Sequence, residues 1–175
     1  MSDESRAFVP NTDELVSRNA RYVETFSDHD LALRPARQLA VVACMDSRMD
    51  IFQILGLEHG AAHIIRNAGG VVTDDVIRSL VLSQRFLGTR EIILIHHTDC
   101  GLQRVVASDL LEELEAETGI RPSWSIEAFK DPHQDVRQSI RRLYISPFVA
   151  LKDDIRGFVY QVEDGRLVEV TVDQH

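Results

Sequence analysis

The sequence predicts an α/β fold: a mostly parallel central sheet flanked by helices, with an antiparallel C-terminal edge strand and an N-terminal helical arm. Three observations predict this fold. Short apolar, β-branched runs alternate with stretches of helical period, which is typical of parallel strands joined by right-handed crossovers. The last two strand-like runs flank an Asp-Gly turn signal and predict an antiparallel hairpin. A helical pattern also precedes the first strand.

Length and composition indicate one soluble globular domain. The chain has 175 residues, 44% of them hydrophobic and 27% charged, so we expect a single domain over 1–175 whose first 35 residues form the helical arm. The formal charge of -9 argues against electrostatic binding of nucleic acid or of a membrane surface. Two cysteines cannot hold a secreted disulfide scaffold together, and the acidic start MSDESRAF is not a signal peptide, so we expect a cytoplasmic protein.

The arm and the first strand are predicted from their end signals. Asn11 is placed to cap the arm helix, Glu14 occupies the capping-box position, and the apolar face continues to Phe26. The run QLAVVAC then predicts a fully buried strand that ends at Cys44.

The next segments predict a short helix, a second strand and a long helix. The short helix runs over about 49–55 and stops at Gly56, and AHIIRN supplies the second strand before a glycine turn. The long helix begins after Thr73, has acidic residues in its first turn, and ends at Gly88.

The second half of the chain repeats this alternation. Buried-strand character returns over 91–96, followed by predicted helices over 102–118 and 132–144 and by a hairpin around 163–165. The segment 118–134 between the two helices is the least regular, and we expect it to be a surface excursion.

Metal-binding side chains follow two of the predicted strands. Cys44 ends the first strand, while His97 and Cys100 follow the third. The carboxyl ends of parallel strands meet at one edge of a sheet, and ligands bind there where strand order reverses. If these three residues share a ligand, the first and third strands must be neighbours, with the second strand on the far side of the first.

Two thiolates and one imidazole favour zinc and leave one of its four tetrahedral positions open. Asp46 is close enough in sequence to Cys44 to occupy that position in a closed state, and Arg48 is placed to draw Asp46 away from the metal.

Other interpretations of these residues remain open. Each cysteine is also typical of a buried core residue, and Asp46 is also suited to cap the helix near Met49. A permanently closed, non-catalytic zinc clasp is another alternative. Thiol redox chemistry is weaker, because Cys44 and Cys100 lack C-x-x-C spacing.

At these residues the sequence resembles the β-class carbonic anhydrases over most of its length. The motifs that carry the resemblance are Cys44-x-Asp46-x-Arg48, Arg66-Asn67-Ala68-Gly69-Gly70, Thr73-Asp74-Asp75 and His97-x-x-Cys100-Gly101. The resemblance implies a parallel sheet, a reaching N-terminal helix, one zinc ion per chain bound by Cys44, His97 and Cys100, and a catalytic pair formed by Asp46 and Arg48.

The implied function is reversible hydration of carbon dioxide to bicarbonate and a proton by zinc-bound hydroxide. The chain lacks the glutamine that plant-like members place ahead of the first motif, and it is more similar to a compact microbial branch. Because carbonyl sulfide hydrolases also occur in that branch, hydrolysis of carbonyl sulfide or carbon disulfide is the alternative.

The resemblance also implies assembly. We expect a homodimer or a higher homo-oligomer, with about 15–26 of the arm helix contacting the neighbour. Backbone N–H groups near Gly69, Gly70 or Gly101 are candidates to hold the anionic product. Arg66 is a candidate for the interface, for the anion exit or for a plain salt bridge.

Overall fold

A computed structural model describes residues 9–172, so the acidic segment 1–8 and residues 173–175 lie outside the described residues. The chain divides into two units, Met1–Leu31 and Ala32–His175. The helices are α1 (Thr12–Thr25), α2 (Ile51–Leu55), α3 (Asp74–Leu87), α4 (Ala107–Thr118) and α5 (Pro132–Ile145). The strands are β1 (Leu39–Cys44), β2 (Ala62–Asn67), β3 (Glu91–His97), β4 (Asp154–Tyr160) and β5 (Leu167–Glu169).

The five strands form one sheet in the order β2-β1-β3-β4-β5. The first four are parallel, and β5 pairs antiparallel with β4. This arrangement confirms the predicted fold class and the predicted reversal of strand order, because β1 lies between β2 and β3. In register, Cys44 lies opposite Asn67 of β2 and Ala43 lies opposite Ile95 of β3.

Both faces of the central strands are buried. Every residue of β1 is buried, and its side chains alternate between two apolar clusters. Ala40 and Val42 belong to one cluster, together with residues of α3 and α5. Val41 and Ala43 belong to the other, together with Met49 and residues near the ends of the strands. A continuous apolar run rather than an alternating one is therefore what this strand requires.

The two ends of α3 follow the predicted capping chemistry. Thr73 accepts a hydrogen bond from the N–H of Val76, and Gly88 ends α3 in the left-handed conformation at φ 76°. Asp50, rather than Asp46, caps α2 by accepting from the N–H of Gln53. The short helix therefore begins two residues later than the sequence pattern predicts.

Two expectations about helix starts are wrong. Asn11 is the N-cap residue of α1, but its side chain makes no capping hydrogen bond, and Glu14 instead pairs with Arg18. The helix predicted over 102–118 is also shorter.

A 3-10 turn over Gly101–Arg104 precedes α4, and Val105 and Val106 between them are extended. Gln103 fixes this turn, because its side chain accepts from the N–H of Cys100 and donates to the carbonyl of Lys130. The β-branched valines also disfavour a helical continuation.

The arm helix α1 presents apolar side chains to solvent. None of its residues is buried, and the exposed fractions of Leu15, Val16 and Val23 are 53%, 66% and 64%. Among the described residues, no helix has both the length and the apolar character needed to cross a bilayer.

Close packing of α5 on β4 depends on Gly157. A Cβ at this position would overlap Val136 and would lie 2.9 Å from Ile140 Cδ1. Replacing Gly157 with alanine should therefore force α5 away from the sheet and lower the free energy of unfolding by about 1–3 kcal/mol. Urea denaturation of Gly157→Ala against the wild type measures this change.

Gly101→Ala is the matched control, because a Cβ at Gly101 meets nothing within 4 Å. Equal stability of the two variants would contradict the packing argument.

Candidate metal centre

The ends of β1 and β3 bring the predicted ligands together. Cys44 is the last residue of β1, His97 is the last residue of β3, and Cys100 follows three residues later. Their ligand atoms all lie within 4.8 Å of one another, and the two sulfurs are 4.0 Å apart. Two sulfurs at about 2.3 Å from a tetrahedral zinc ion would be about 3.8 Å apart. The cluster therefore has the spacing of a zinc site.

His97 points a free nitrogen into this cluster. Its ring is fully buried, and Nδ1 lies 2.8 Å from the carbonyl oxygen of Thr98. Since a carbonyl oxygen can only accept, Nδ1 carries the proton and the Nε2 lone pair is available. Within residues 9–172, Nε2 is one of three buried side-chain polar atoms without a hydrogen-bond partner. A buried nitrogen without a partner beside two thiols fits a metal ligand.

The cluster holds an uneven distribution of protons. The hydrogen bond from Cys100 lowers the pKa of Cys44 to about 4, against the opposing effect of burial. The same contact, together with burial, raises the pKa of Cys100 well above its ordinary value. Burial alone would lower the pKa of His97, but its interactions with the Cys44 thiolate outweigh that effect and raise it. Without metal, the Cys44 thiolate thus lies beside a Cys100 thiol that retains its proton.

Asp46 faces the cluster and is held by Arg48. Its Oδ2 lies 3.7 Å from His97 Nε2. Arg48 donates from Nε to Asp46 Oδ1 at 3.0 Å and from Nη2 to Oδ2 at 2.8 Å. These hydrogen bonds hold the pKa of Asp46 well below its usual range. Asp46 is therefore a carboxylate at every physiological pH and acts as an acceptor.

Arg66 supports the loop that carries Asp46. It donates from Nε to the carbonyl oxygen of Cys44 at 2.9 Å and from Nη2 to that of Asp46 at 2.7 Å. The sequence left three roles open for Arg66: the subunit interface, the anion exit and a plain salt bridge. Neither of the first two is needed to explain the observed contacts. They are hydrogen bonds to backbone rather than a salt bridge, and they fix the turn after β1.

The three candidate glycines lie in different surroundings. A Cβ at Gly70 would lie 2.8 Å from the backbone nitrogen of Cys44, and a Cβ at Gly69 would lie 2.7 Å from Leu102 Cδ2. Both glycines have positive φ, at 80° and 72° for Gly69 and Gly70. A Cβ at Gly101 would enter open space. Gly70 therefore allows the turn after β2 to approach the end of β1.

His96 is turned away from the ligands. Its Nε2 lies 2.7 Å from Asp135 Oδ2, and its ring packs against Phe129 at 5.5 Å between centroids. Phe129 is buried although it belongs to the segment predicted as a surface excursion, so that segment also covers part of the core.

Sequence reasoning did not single out Asp99, Asp135 or Arg104. Asp99 contacts Arg48, and Arg104 contacts Asp99. An acidic residue beside a candidate ligand is visible in the string HTDC, but nothing in a single sequence shows which arginine it meets.

Comparison with known proteins gives one consistent family. The family model described as carbonic anhydrase matches residues 39–167. Beta-carbonic anhydrase 1 of Mycobacterium tuberculosis is 52% identical over 160 residues, which cover 91% of this chain and 98% of that protein. Carbon disulfide hydrolase of Acidianus sp. is 36% identical over 156 residues, which cover 75% of this chain and 76% of that protein.

Solved structures show the same relationship. A carbonic anhydrase from Streptococcus mutans is 40% identical with a TM-score of 0.86, and the match covers 94% of this chain and all of that one. An apo form of carbon disulfide hydrolase is 30% identical with a TM-score of 0.72, and the match covers 91% of each chain.

Zinc binding to the metal-free protein should release protons. Cys100 is protonated at neutral pH and His97 holds its proton more tightly than usual, whereas zinc binds only their deprotonated forms. Protons compete more strongly as pH falls, so affinity should rise by about tenfold per pH unit for each proton released. Titration calorimetry between pH 6 and 8, in buffers of different ionisation enthalpy, measures both quantities.

His97→Ala should lose stoichiometric zinc binding, and His133→Ala on α5 should retain it. Zinc binding without proton release, or undiminished binding by the His97 variant, would contradict this description of the site.

Proposed function

Because the chain belongs to the β-carbonic anhydrase family, we propose that it is a zinc lyase that catalyses the reversible hydration of carbon dioxide to bicarbonate and a proton. The observation that carries this function is the position of Asp46. Its carboxylate faces a three-donor metal cluster at 3.7 Å from His97 Nε2 while Arg48 holds it. A site with three protein donors and an anchored carboxylate beside them is typical of a catalytic rather than a structural metal.

We infer that Cys44, His97 and Cys100 hold the ion. Zinc bound there would supply Lewis-acid chemistry, because it would bring the pKa of a water molecule down toward neutrality. Two thiolates would offset both charges of the metal. Arg48 places a positive charge beside the Asp46 carboxylate.

Asp46 orients the attacking water. Since Arg48 holds the pKa of Asp46 well below its usual range, Asp46 accepts a hydrogen bond and donates none. An acceptor at this position directs the hydrogen of the nucleophile toward the protein and its lone pair toward the substrate carbon. The backbone bonds from Arg66 to Cys44 and Asp46 keep this acceptor in place.

Asp46 also provides a means of closing the site. In the structure its carboxylate is hydrogen-bonded to Arg48. A carboxylate is also a good zinc ligand, so release from Arg48 would let Asp46 take the fourth position. Arg48 is suited to compete with the metal for that carboxylate. This supports reversible closure of the site by Asp46 more than a permanently closed, non-catalytic zinc site.

Hydrolysis of carbonyl sulfide or carbon disulfide by the same site is the second candidate. The 36% identity to a carbon disulfide hydrolase supports it. The 52% identity to a beta-carbonic anhydrase favours carbon dioxide. All three substrates are small, linear and uncharged with an electrophilic central carbon, so the same nucleophile can attack each of them.

The buried thiols favour the cytoplasm. Cys44 and Cys100 are free cysteines whose sulfurs lie 4.0 Å apart. Both thiols must stay reduced to hold zinc, and a reducing compartment keeps them so.

Asp46→Ala should keep one zinc per chain and lower kcat for carbon dioxide hydration by about a hundredfold or more, because the nucleophile loses its acceptor. Stopped-flow hydration assays and metal analysis on the same preparations measure the two quantities. Asp164→Ala is the matched control, because Asp164 accepts from Arg166 through the same Asp-x-Arg spacing in the β4–β5 hairpin.

Unchanged kcat in the Asp46 variant would remove Asp46 from the mechanism. Parallel assays of the wild type with carbonyl sulfide and carbon disulfide test the substrate. A kcat/KM for either one that exceeds the value for carbon dioxide by orders of magnitude would replace the proposed function.

We further propose that α1 contacts a second copy of the chain. The exposed apolar residues Leu15, Val16 and Val23 form a face that needs a partner. The wild type should therefore have a mass in solution of at least about twice the 19.8 kDa of one chain. Leu15→Glu combined with Val23→Glu should shift it toward the monomer, as measured by analytical ultracentrifugation.

Arg21→Glu introduces the same side chain away from the apolar face and should leave the mass unchanged. A fully active wild-type monomer would contradict the proposed assembly.

A further inference from the structure

We propose that Asp99 is a positioning residue for the reaction. It binds the Arg48 guanidinium on the side that Asp46 leaves free, and so keeps Arg48 aligned with the Asp46 carboxylate. This proposal rests on the proposed function, because it acts through the orientation of Asp46.

The guanidinium of Arg48 is divided between two acidic residues. Toward Asp46 it uses Nε and Nη2, at 3.0 and 2.8 Å. Toward Asp99 it uses Nη1, which donates to Oδ2 at 3.0 Å, and Nη2, which donates to the backbone carbonyl oxygen at 3.0 Å. Four of the five N–H bonds of a guanidinium are thus accounted for. Rotation of Arg48 about its long axis would break contacts on both sides.

Asp99 reaches Arg48 from a strained backbone conformation. Its φ is 52°, in the left-handed region that residues other than glycine seldom occupy, although aspartate tolerates it better than most. Its backbone carbonyl and its carboxylate both contact the same guanidinium. A residue kept in a sparsely populated conformation while making two contacts to one group is consistent with a functional constraint.

Asp99 is itself anchored. Its second carboxylate oxygen, Oδ1, accepts a hydrogen bond from Arg104 in the turn after Cys100. Three ion pairs therefore connect four side chains of alternating charge, in the order Asp46, Arg48, Asp99 and Arg104. These ion pairs join the loop after β1, which carries Asp46 and Arg48, to the loop after β3, which carries Asp99 and Cys100.

The exposure of these groups explains why a second anchor matters. The side chain of Arg48 is 46% exposed, whereas that of Asp46 is 17% exposed. A half-exposed arginine held by a single ion pair retains much of its rotamer freedom, and such pairs contribute little. With Asp99 as a second partner, Arg48 is restricted to the orientation that holds both oxygens of Asp46. The catalytic carboxylate is then fixed although its partner lies near solvent.

The test compares zinc-loaded Asp99→Ala and Asp99→Asn with the wild type. Asp99→Ala should keep its zinc and lower kcat for carbon dioxide hydration by about tenfold, with KM within about twofold, because the carboxylate that orients the nucleophile is less well aligned. Asp99→Asn retains an acceptor for Arg48 and tolerates the backbone conformation, so it should restore kcat to within about threefold of the wild type. Glu169→Ala is the matched control. It removes from β5 a carboxylate that is bound by an arginine, Arg156 of β4.

A second readout does not depend on turnover. In ¹⁵N-labelled, zinc-loaded wild type, the Nε–H of Arg48 should give a resolved, slowly exchanging NMR signal, assigned by its loss in Arg48→Lys. The signal should broaden or exchange faster in Asp99→Ala and persist in Asp99→Asn and Glu169→Ala.

Wild-type kcat and an unchanged Arg48 signal in Asp99→Ala would overturn the proposal. A loss of activity that is fully explained by a loss of zinc would also overturn it, because Asp99 would then act only by stabilising the loop that carries Cys100. If the wild type fails to hydrate carbon dioxide, the proposed function fails, while the NMR comparison still decides whether Asp99 holds Arg48.

Discussion

The metal centre depends on the adjacency of β1 and β3 in a parallel sheet. Cys44 and Cys100 are 56 residues apart in sequence, yet their sulfurs are 4.0 Å apart, because Cys44 ends β1 and Cys100 follows the end of the neighbouring strand β3. The register that pairs Ala43 with Ile95 sets this separation. A strand order without the reversal at β1 would place another strand between β1 and β3. Since neighbouring strands lie about 4.8 Å apart, the two cysteines would then be too far apart to share a metal ion.

The same adjacency forces the backbone turns at the sheet edge to pack closely. Gly70 is one consequence, because a Cβ at this position would meet the backbone of Cys44, Ala43 and Ile95. Arg66 is another, because its guanidinium donates to the carbonyl oxygens of Cys44 and Asp46 where the chain leaves the strand. Neither residue is a metal donor, but both are needed for the donors to meet.

Periodicity and strand-end position were sufficient to predict much of this molecule. The run from Leu39 to Cys44 is apolar throughout because both sheet faces are covered, and this predicts a parallel strand. The polar contacts could not be predicted in the same way. Arg48 meets Asp99 and His96 meets Asp135 through tertiary structure, which sequence spacing does not encode. The helix start at Ala107 also depends on a tertiary contact, from Gln103 to Lys130.

Four Asp-x-Arg sequences occur in the chain, and in two of them the aspartate and the arginine are ion-paired with each other. Comparison of these two pairs shows what turns local geometry into chemistry. Asp164 and Arg166 repeat the contacts of Asp46 and Arg48, with the arginine N–H and guanidinium both donating to the carboxylate. In both pairs the arginine lowers the pKa of the aspartate. The side chain of Asp164 is 42% exposed and belongs to a hairpin loop, whereas Asp46 is 17% exposed and faces the imidazole of His97. The motif thus supplies an ionised, oriented carboxylate in either place, and only the position of Asp46 beside the candidate metal ligands at the ends of β1 and β3 suits it to the proposed catalytic role.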